Sequence, residues 1–252
     1  MRGAELRCKR AACRPIEDEV RRRVAARGAD KFAALLMPSP NMHDVDLLLA
    51  AGLSQQDIER NVRIIERDPE AFRLIWEALR KRGVLRPERV MTSRPMGLVR
   101  RVSVVRGPLD WANLDMCGPI HPALFRGVAH LAGELARGSC FQITVRCGRE
   151  HAKDKALSLQ LAAWGRDIGL PTGSAERRRL ALFALVAAAP LFPAARRAPG
   201  KPVLVPDKYF HVAYRADGSN AVMLCDAAVY RHGSEQELKG ILPRLWEASH
   251  ES

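Results

Sequence analysis

The chain has 252 residues, of which 47% are hydrophobic and 27% charged, and its formal net charge is +13. This length can bury a sizeable core as one domain, and the composition is ordinary for a globular protein. No apolar run reaches the roughly 18 residues that span a bilayer, and no apolar segment follows the basic N-terminus. We therefore expect a cytoplasmic protein without a membrane span or a secretory signal.

The cysteines show no repeated short spacing. In a chain of this length, scattered cysteines favour reduced thiols in a cytoplasm over a disulfide framework. No CxxC or HxxxH pair occurs, so we expect no metal site. The six cysteines are Cys8, Cys13, Cys117, Cys140, Cys147 and Cys225.

Arginine supplies most of the positive charge, and much of it stands in short clusters. A field of this sign attracts polyanions, so we expect a nucleic acid, DNA or RNA, as a partner. The alternative is an Ala- and Arg-rich composition that reflects GC-rich coding, with arginines that only solvate helix faces. The candidate nucleic-acid-binding residues are Arg21, Arg22, Arg100, Arg101, Arg177 and Arg178.

The first predicted elements lie before residue 53. Residues 1–15 are basic without periodicity and predict a loose arm, and residues 16–27 predict a charged helix. The apolar run 32–37 (FAALLM) is followed by prolines, which favours a strand that leaves into a loop. Asn41 is typical of an N-cap, so we predict a helix from there to Gly52.

The next strand and helix follow directly. The β-branched run 62–66 (VRIIE) predicts a second strand. Asp68 is expected to cap the following helix, with Pro69 at its first position and Gly83 at its end. The apolar stripe of this helix consists of Phe72, Ile75, Trp76 and Leu79.

The same alternation continues to the C-terminus. We predict strands at 89–92, 112–116 and 140–145, helices at 121–137, 153–165 and 175–189, and a linker at 194–200. Two apolar runs joined through Asp217 and Gly218 then predict a hairpin, at 209–214 and 221–230. Strand–helix alternation implies a parallel sheet covered on both faces. We therefore expect an α/β fold, a Rossmann-like three-layer sandwich with a mostly parallel sheet and an antiparallel C-terminal hairpin.

This element order resembles that of class I (Rossmann-like) S-adenosylmethionine-dependent methyltransferases, which end in such a hairpin. Residues 51–68 (AGLSQQDIERNVRIIERD) resemble the stretch leading into the family's second strand, where an acid holds the ribose hydroxyls of the cofactor. Glu66 is the matching position, and Asp68 lies close by. A carboxylate can accept two hydrogen bonds from a vicinal diol. The resemblance therefore implies S-adenosylmethionine as cofactor; the alternative roles are a surface acid for Glu66 and a helix cap for Asp68.

Residues 111–119 (WANLDMCGP) resemble the family's fourth motif, which holds the base in nucleic-acid methyltransferases. The resemblance implies that Asp115 and Pro119 position the acceptor. The sequence departs from the family after Asp115, where it has Met-Cys-Gly-Pro in place of two prolines and an aromatic residue. Cys117 offers an alternative, as a nucleophile that attacks a pyrimidine carbon through its thiolate. A lone cysteine is, however, more often a small buried hydrophobe.

The largest departure from the family is at the first motif. The family has a glycine-rich turn after the first strand, whereas residues 37–44 (MPSPNMHD) contain no glycine. Pro38 and Ser39 stand at the matching turn and are the candidate cofactor-binding residues there. His43 and His121 are further candidates for a base or a phosphate contact, with partly exposed spectators as the alternative.

Two hypotheses about function follow. The first is an active methyltransferase on DNA or RNA. The second is a non-catalytic nucleic-acid-binding module on the same scaffold, a subunit of a larger assembly such as that of a phage or mobile element. A nucleotide-dependent Rossmann-like enzyme is disfavoured because no phosphate-binding glycine loop is present. We divide the chain into a basic arm and N-terminal helix (1–30), a methyltransferase-like domain (31–235) and a C-terminal helix or tail (236–252).

Overall fold

The structure is a computed structural model that describes residues 2–38, 41–66, 68–91, 108–116, 127–128, 131–146, 177–188, 190, 203–215 and 222–248. A six-stranded sheet lies at the centre of this described part. Its strands are β1 (Ala34–Leu36), β2 (Val62–Ile64), β3 (Leu109–Met116), β4 (Leu135–Arg146), β5 (Val203–Arg215) and β6 (Val222–Gly233). They are arranged in the order β2-β1-β3-β4-β6-β5.

Helices pack against this sheet. They are α1 (Arg2–Arg27), α2 (His43–Ala50), α3 (Gln55–Asn61), α4 (Pro69–Lys81), α5 (Pro87–Val90), α6 (Arg177–Val186) and α7 (Glu235–Ala248). Residues 127–128 and 131–134 are also helical. None of the described helices has both the length and the apolar character that a membrane crossing requires.

The direction of the strands confirms the predicted sheet. Strands β2, β1, β3 and β4 are parallel neighbours, and Leu36 of β1 pairs with Ile64 on one side and Asn113 on the other. Strand β6 runs antiparallel to both of its neighbours, β4 and β5. Met91 adds a parallel bridge to Ile64 at the outer edge. The sheet is therefore mostly parallel and ends in the expected antiparallel hairpin.

Side chains of successive strand residues point to opposite faces, and each face is covered by helices. On one face Leu35 and Phe141 belong to a core with α6. On the other face Leu36 and Trp111 belong to a core with α1, α2 and α4. Helix α7 adds a smaller cluster around Trp246. Helices on both faces of one sheet confirm the three-layer Rossmann-like α/β fold.

The loose arm predicted for residues 1–15 is wrong over its described residues. Helix α1 begins at Arg2, runs through Pro15 and ends at Arg27. Its buried residues recur at helical spacing and share a core with the sheet, which holds the part of the helix from Cys13 onwards against the sheet. They are Cys13, Ile16, Val20 and Val24.

Two further local predictions are wrong. Of the strand predicted at 89–92, residues 89 and 90 belong to the short helix α5, because Pro87 favours a helix start, and Met91 makes a bridge to the sheet; residue 92 lies outside the described residues. The helix predicted at 121–137 ends earlier, because residues 135–137 belong to β4. Gly138 therefore lies inside this strand, with φ 76°, and does not terminate a helix. Helix α3 was not predicted.

Other predictions are confirmed. Helix α4 has Asp68 as its N-cap and Pro69 in its first turn, and Ile75 and Leu79 of its predicted stripe are buried. Helix α6 lies within the predicted 175–189. The helix predicted at 153–165 and the linker at 194–200 lie outside the described residues.

Candidate functional site at the carboxyl edge of the sheet

The strand order defines where a ligand site is expected. The chain passes from β1 outwards to β2 and then returns to the other side of β1 to form β3. In open parallel sheets such a reversal opens a crevice at the carboxyl ends of the strands on either side of it. Here the crevice is expected above β1 and β3, where Pro38 and Asp115 stand.

Glu66 and Asp115 lie at the same height along this edge. Leu36 pairs with both Ile64 and Asn113, and each acid stands two positions beyond one of these partners. Neighbouring strands are about 4.8 Å apart, so the two Cα atoms are roughly 10 Å apart, with β1 between them. Side chains alternate, so both acids are on the face that α1 and α2 cover. The two carboxylates therefore flank the crevice.

The acids that follow β2 also organise the start of α4. The Glu66 Oε1 accepts a hydrogen bond of 2.7 Å from the backbone N–H of Asp68. The Asp68 Oδ1 accepts 2.9 Å hydrogen bonds from the backbone N–H groups of Glu70 and Ala71. Asp68 thus acts as a helix cap, and cofactor binding by this residue stays a prediction. A carboxylate has about four acceptor positions, so the bond to Asp68 is compatible with a ligand on Glu66.

A row of polar side chains extends from Asp115 along the same face of the sheet. Across β3 and β4, Asn113 pairs with Gln142 and Asp115 pairs with Thr144. Asn113, Gln142 and Thr144 are 2%, 4% and 0% exposed. Among the described residues the Asn113 Oδ1 has no hydrogen-bond partner, and the Gln142 Nε2 donates to the Cys225 Sγ at 3.3 Å. Buried polar atoms are normally paired, so this row is a candidate ligand contact that the sequence did not reveal.

The turn after β1 takes the conformation that glycine would favour, although no glycine is present. Met42 has φ 59° and ψ 27° and precedes α2, with no side-chain cap. A left-handed conformation costs a non-glycine residue about 1–2 kcal/mol. Asn41 was predicted to be the N-cap, which is wrong by one residue; its Oδ1 instead accepts from the His43 N–H at 3.3 Å. Pro38 is buried at the base of this turn, and its cofactor contact stays a prediction.

His43 lies against α1. Its Nε2 is 2.7 Å from the Glu17 Oε1. This contact gives His43 a partner within the protein, and its role as a base stays a prediction.

For several other predicted site residues, the structure gives only a neighbouring carboxylate or an element of secondary structure. Arg21 forms an ion pair with Asp18 at 3.0 Å, and Arg22 forms one with Glu19 at 2.6 Å. Arg177 and Arg178 belong to α6. The remaining candidates lie outside the described residues: Ser39, Arg100, Arg101, Cys117, Pro119 and His121.

Two of the described cysteines are poor nucleophiles. Burial, followed by the nearby Glu19 carboxylate, raises the pKa of Cys140 to about 12. A hydrogen bond with Cys13, followed by burial, raises the pKa of Cys225 well above its ordinary value. Both side chains therefore remain thiols near neutral pH. Within the described residues, no group of three His, Cys, Asp or Glu side chains could hold a metal ion.

The hairpin contains a buried acid whose partners could not be named from the sequence. Asp226 of β6 is fully buried. The Tyr209 hydroxyl donates to one of its oxygens, and the His211 Nδ1 lies 2.6 Å from the other. The pairing of His211 with Asp226 across β5 and β6 brings these residues together. Only the register of the hairpin, and no local motif, could have indicated it.

No family model matches the chain, and no curated protein matches it. Solved structures of similar fold include StiE O-MT, at 10% identity over 92% of this chain and 80% of that chain, with a TM-score of 0.48. An rRNA methylase from Streptococcus thermophilus has 13% identity over 83% and 93%, with a TM-score of 0.42. Geranyl diphosphate methyltransferase in complex with GPP and sinefungin has 9% identity over 79% and 72%, with a TM-score of 0.42.

Similarities at this level indicate no activity and no ligand. The strand order and register of the chain itself define its class. It is a Rossmann-like α/β protein with its candidate site at the carboxyl edge of the sheet.

Proposed function

We propose that the protein is an S-adenosylmethionine-dependent methyltransferase that acts on a nucleic acid. The observation that carries the proposal is the pair of carboxylates, Glu66 and Asp115, on either side of the crevice. An acceptor beyond the end of β2 suits a ribose diol, and an acceptor at the end of β3, on the other side of β1, suits the group to be methylated.

The residues present fit the proposed cofactor at its ribose end and along the polar row. Glu66 would accept hydrogen bonds from the two ribose hydroxyls. Asn113 is 2% exposed, and within the described part of the chain its Oδ1 has no partner, so it could accept from a bound ligand. S-adenosylmethionine, when bound, supplies an electrophilic methyl group. Asp115 would orient an amine of the acceptor and hold it in line with that group.

The charge of the chain supports nucleic acid as the substrate class. The formal net charge is +13, and a field of that size steers polyanions toward the protein. Arg21 and Arg22 are exposed on α1, which covers the same face of the sheet as the two acids. They would contribute phosphate contacts by exchanging their neighbouring carboxylates for phosphate oxygens.

Calorimetric titration with S-adenosylhomocysteine tests the cofactor site. Glu66→Gln should weaken binding by tenfold or more, because hydrogen bonds to a charged group contribute about 1.5–3 kcal/mol. Glu77→Gln is the matched control, because Glu77 is exposed on α4 and pairs only with the exposed Arg73 among the described residues. Equal affinity of the wild type and Glu66→Gln would refute the assignment of Glu66.

Transfer of a labelled methyl group to RNA and to DNA tests the reaction. Asp115→Asn should reduce the transfer rate while leaving S-adenosylhomocysteine affinity within about twofold, because Asp115 is assigned to the acceptor. The absence of a glycine turn and the burial of Pro38 favour a second candidate, a module that binds nucleic acid without catalysis. Nucleic-acid binding without any S-adenosylhomocysteine binding would select this second candidate.

A further inference from the structure

A basic cleft opens on the outer edge of the sheet, beside β2. Its volume is about 780 Å³. Four arginines and one glutamate line it, together with polar and apolar residues from α3 and the segment before α5. The lining arginines are Arg60, Arg63, Arg86 and Arg89.

Local folding brings these arginines together. Ser54 and Asp57 form a capping box that starts α3, and burial of Ile58 turns Arg60 outwards toward the cleft. The Glu59 Oε1 accepts a 2.9 Å hydrogen bond from the backbone N–H of Arg86, which ties the start of α5 to α3. Residues that are distant in sequence are thereby held around one concave surface.

The arginines of this cleft differ from most others in the described part of the chain. No carboxylate of a described residue lies within 4.0 Å of the guanidinium groups of Arg60, Arg63, Arg86 or Arg89, and the Glu59 carboxylate is bound by a backbone amide. By contrast, Arg82 is paired with Asp46 at 2.5 Å. The four arginines and Glu59 therefore give the lining of the cleft an excess of three formal positive charges.

Arg63 shows that this charge is partly removed from water. It lies on β2, is half-buried, and donates a 2.8 Å hydrogen bond to the Val62 carbonyl oxygen. Burial lowers the pKa of its guanidinium from the ordinary value. A desolvated cation without a carboxylate is unfavourable, and a bound anion would offset the cost.

We propose that this cleft binds the phosphodiester backbone of a nucleic acid, as a second contact outside the carboxyl-edge site. Arginine forks match phosphate oxygens. Leu85, which is 78% exposed at the rim, and Gln55 and Gln56 offer apolar and amide contacts to sugars and bases, which a free phosphate would not use. A concave cleft with amide groups suits a strand better than a flat membrane surface. The identity of the ligand rests on the proposed nucleic-acid substrate.

Fluorescence anisotropy with a labelled single-stranded RNA of about 20 nucleotides, and with DNA of the same length, tests the proposal at salt concentrations from about 50 to 200 mM. The variant is Arg86→Gln with Arg89→Gln, both exposed. The control is Arg80→Gln with Arg244→Gln, which removes the same charge from exposed positions on α4 and α7. Thermal unfolding of both variants should match the wild type.

The cleft variant should bind about tenfold or more weakly and lose about 1.4 from the slope of log affinity against log salt, since each phosphate contact on a single strand contributes about 0.7. The control should lose less than about threefold. Equal losses in both variants, or an unchanged slope, would overturn the proposal. So would preferential binding to anionic phosphatidylserine vesicles, or full competition by millimolar inorganic phosphate. The affinity of the cleft variant for S-adenosylhomocysteine is measured in parallel. Unchanged affinity shows that weaker nucleic-acid binding comes from the cleft and not from a damaged cofactor site.

Discussion

Replacing Asp110 by asparagine should destabilise the protein strongly, because Asp110 connects α1 to the amino edge of the sheet. Asp110 is fully buried at the start of β3. One of its oxygens accepts from the Arg23 Nε at 2.9 Å and Nη2 at 2.5 Å, and the other accepts from the Ala33 N–H at 3.0 Å. The Arg27 Nε lies 3.7 Å away. The substitution keeps the shape of the side chain but removes its charge.

The expected loss is about 3 kcal/mol of unfolding free energy. Removing one partner of a buried ion pair costs about 3–5 kcal/mol, and the lower end applies because the Arg23 side chain is 19% exposed and can reach water. Asparagine can still accept from the Ala33 amide, which limits the loss further.

Urea unfolding, followed by circular dichroism, measures this loss. Glu77→Gln removes one partner of an exposed pair with Arg73 and should cost less than about 0.5 kcal/mol. A double-mutant cycle with Arg23→Gln isolates the pairwise coupling. A loss below about 1 kcal/mol for Asp110→Asn, or a coupling near zero, would refute the argument that this pair secures α1.

Three further predictions concern stability. Gly138→Ala should lower the free energy of unfolding by about 2 kcal/mol, because φ is 76° and a Cβ would lie 2.7 Å from the Arg23 Nη1. Gly240→Ala in α7 is the control: its Cβ meets no atom within 4 Å, and it should raise the free energy of unfolding by about 0.5–1 kcal/mol. Thermal unfolding compares the two variants. Ser54→Ala should lower the free energy of unfolding by about 1 kcal/mol at neutral pH. The loss should be smaller in acid, because the hydrogen bond from Ser54 lowers the pKa of Asp57 below 3.8 and the stability that this bond contributes is lost as the pH falls. Unfolding of the wild type and the variant at two pH values tests this expectation. The pKa of Cys140 is raised to about 12 from an ordinary 9.0, so its contribution to stability is present below pH 9.0 and is lost as the pH rises. Between about pH 8 and 10 the wild type should therefore lose about 1 kcal/mol more unfolding free energy than Cys140→Ala, as measured by urea unfolding.

Local signals in the sequence predicted much of the sheet. The runs 62–66 and 209–214 lie in or overlap strands β2 and β5, and the Asp-Gly hairpin signal led to the correct antiparallel pair. The sequence did not predict α3, because its capping box at Ser54 went unrecognised. It also did not predict that residues 135–139 extend β4, because Gly138 is typical of a helix end and only its strand context shows otherwise.

The candidate site was predictable only in part. Glu66 follows β2 and Asp115 stands at the carboxyl end of β3, so their position at one edge could be inferred from strand order. The buried row could not, because Asn113 and Gln142 become neighbours only through the register of β3 and β4. A polar residue in the middle of a strand run gives no local sign that its side chain faces another polar residue.

The arginines that are available to bind phosphate also could not be identified from the sequence alone. Arg21 and Arg22 belong to a conspicuous run, but acids of the preceding turn of α1 lie 3.0 and 2.6 Å from their guanidinium groups. A phosphate that binds there must displace a carboxylate. Arg86 and Arg89 stand three residues apart in an inconspicuous segment, and no carboxylate of a described residue pairs with them within 4.0 Å. Per charge, a phosphate should therefore bind more favourably in the cleft than on α1.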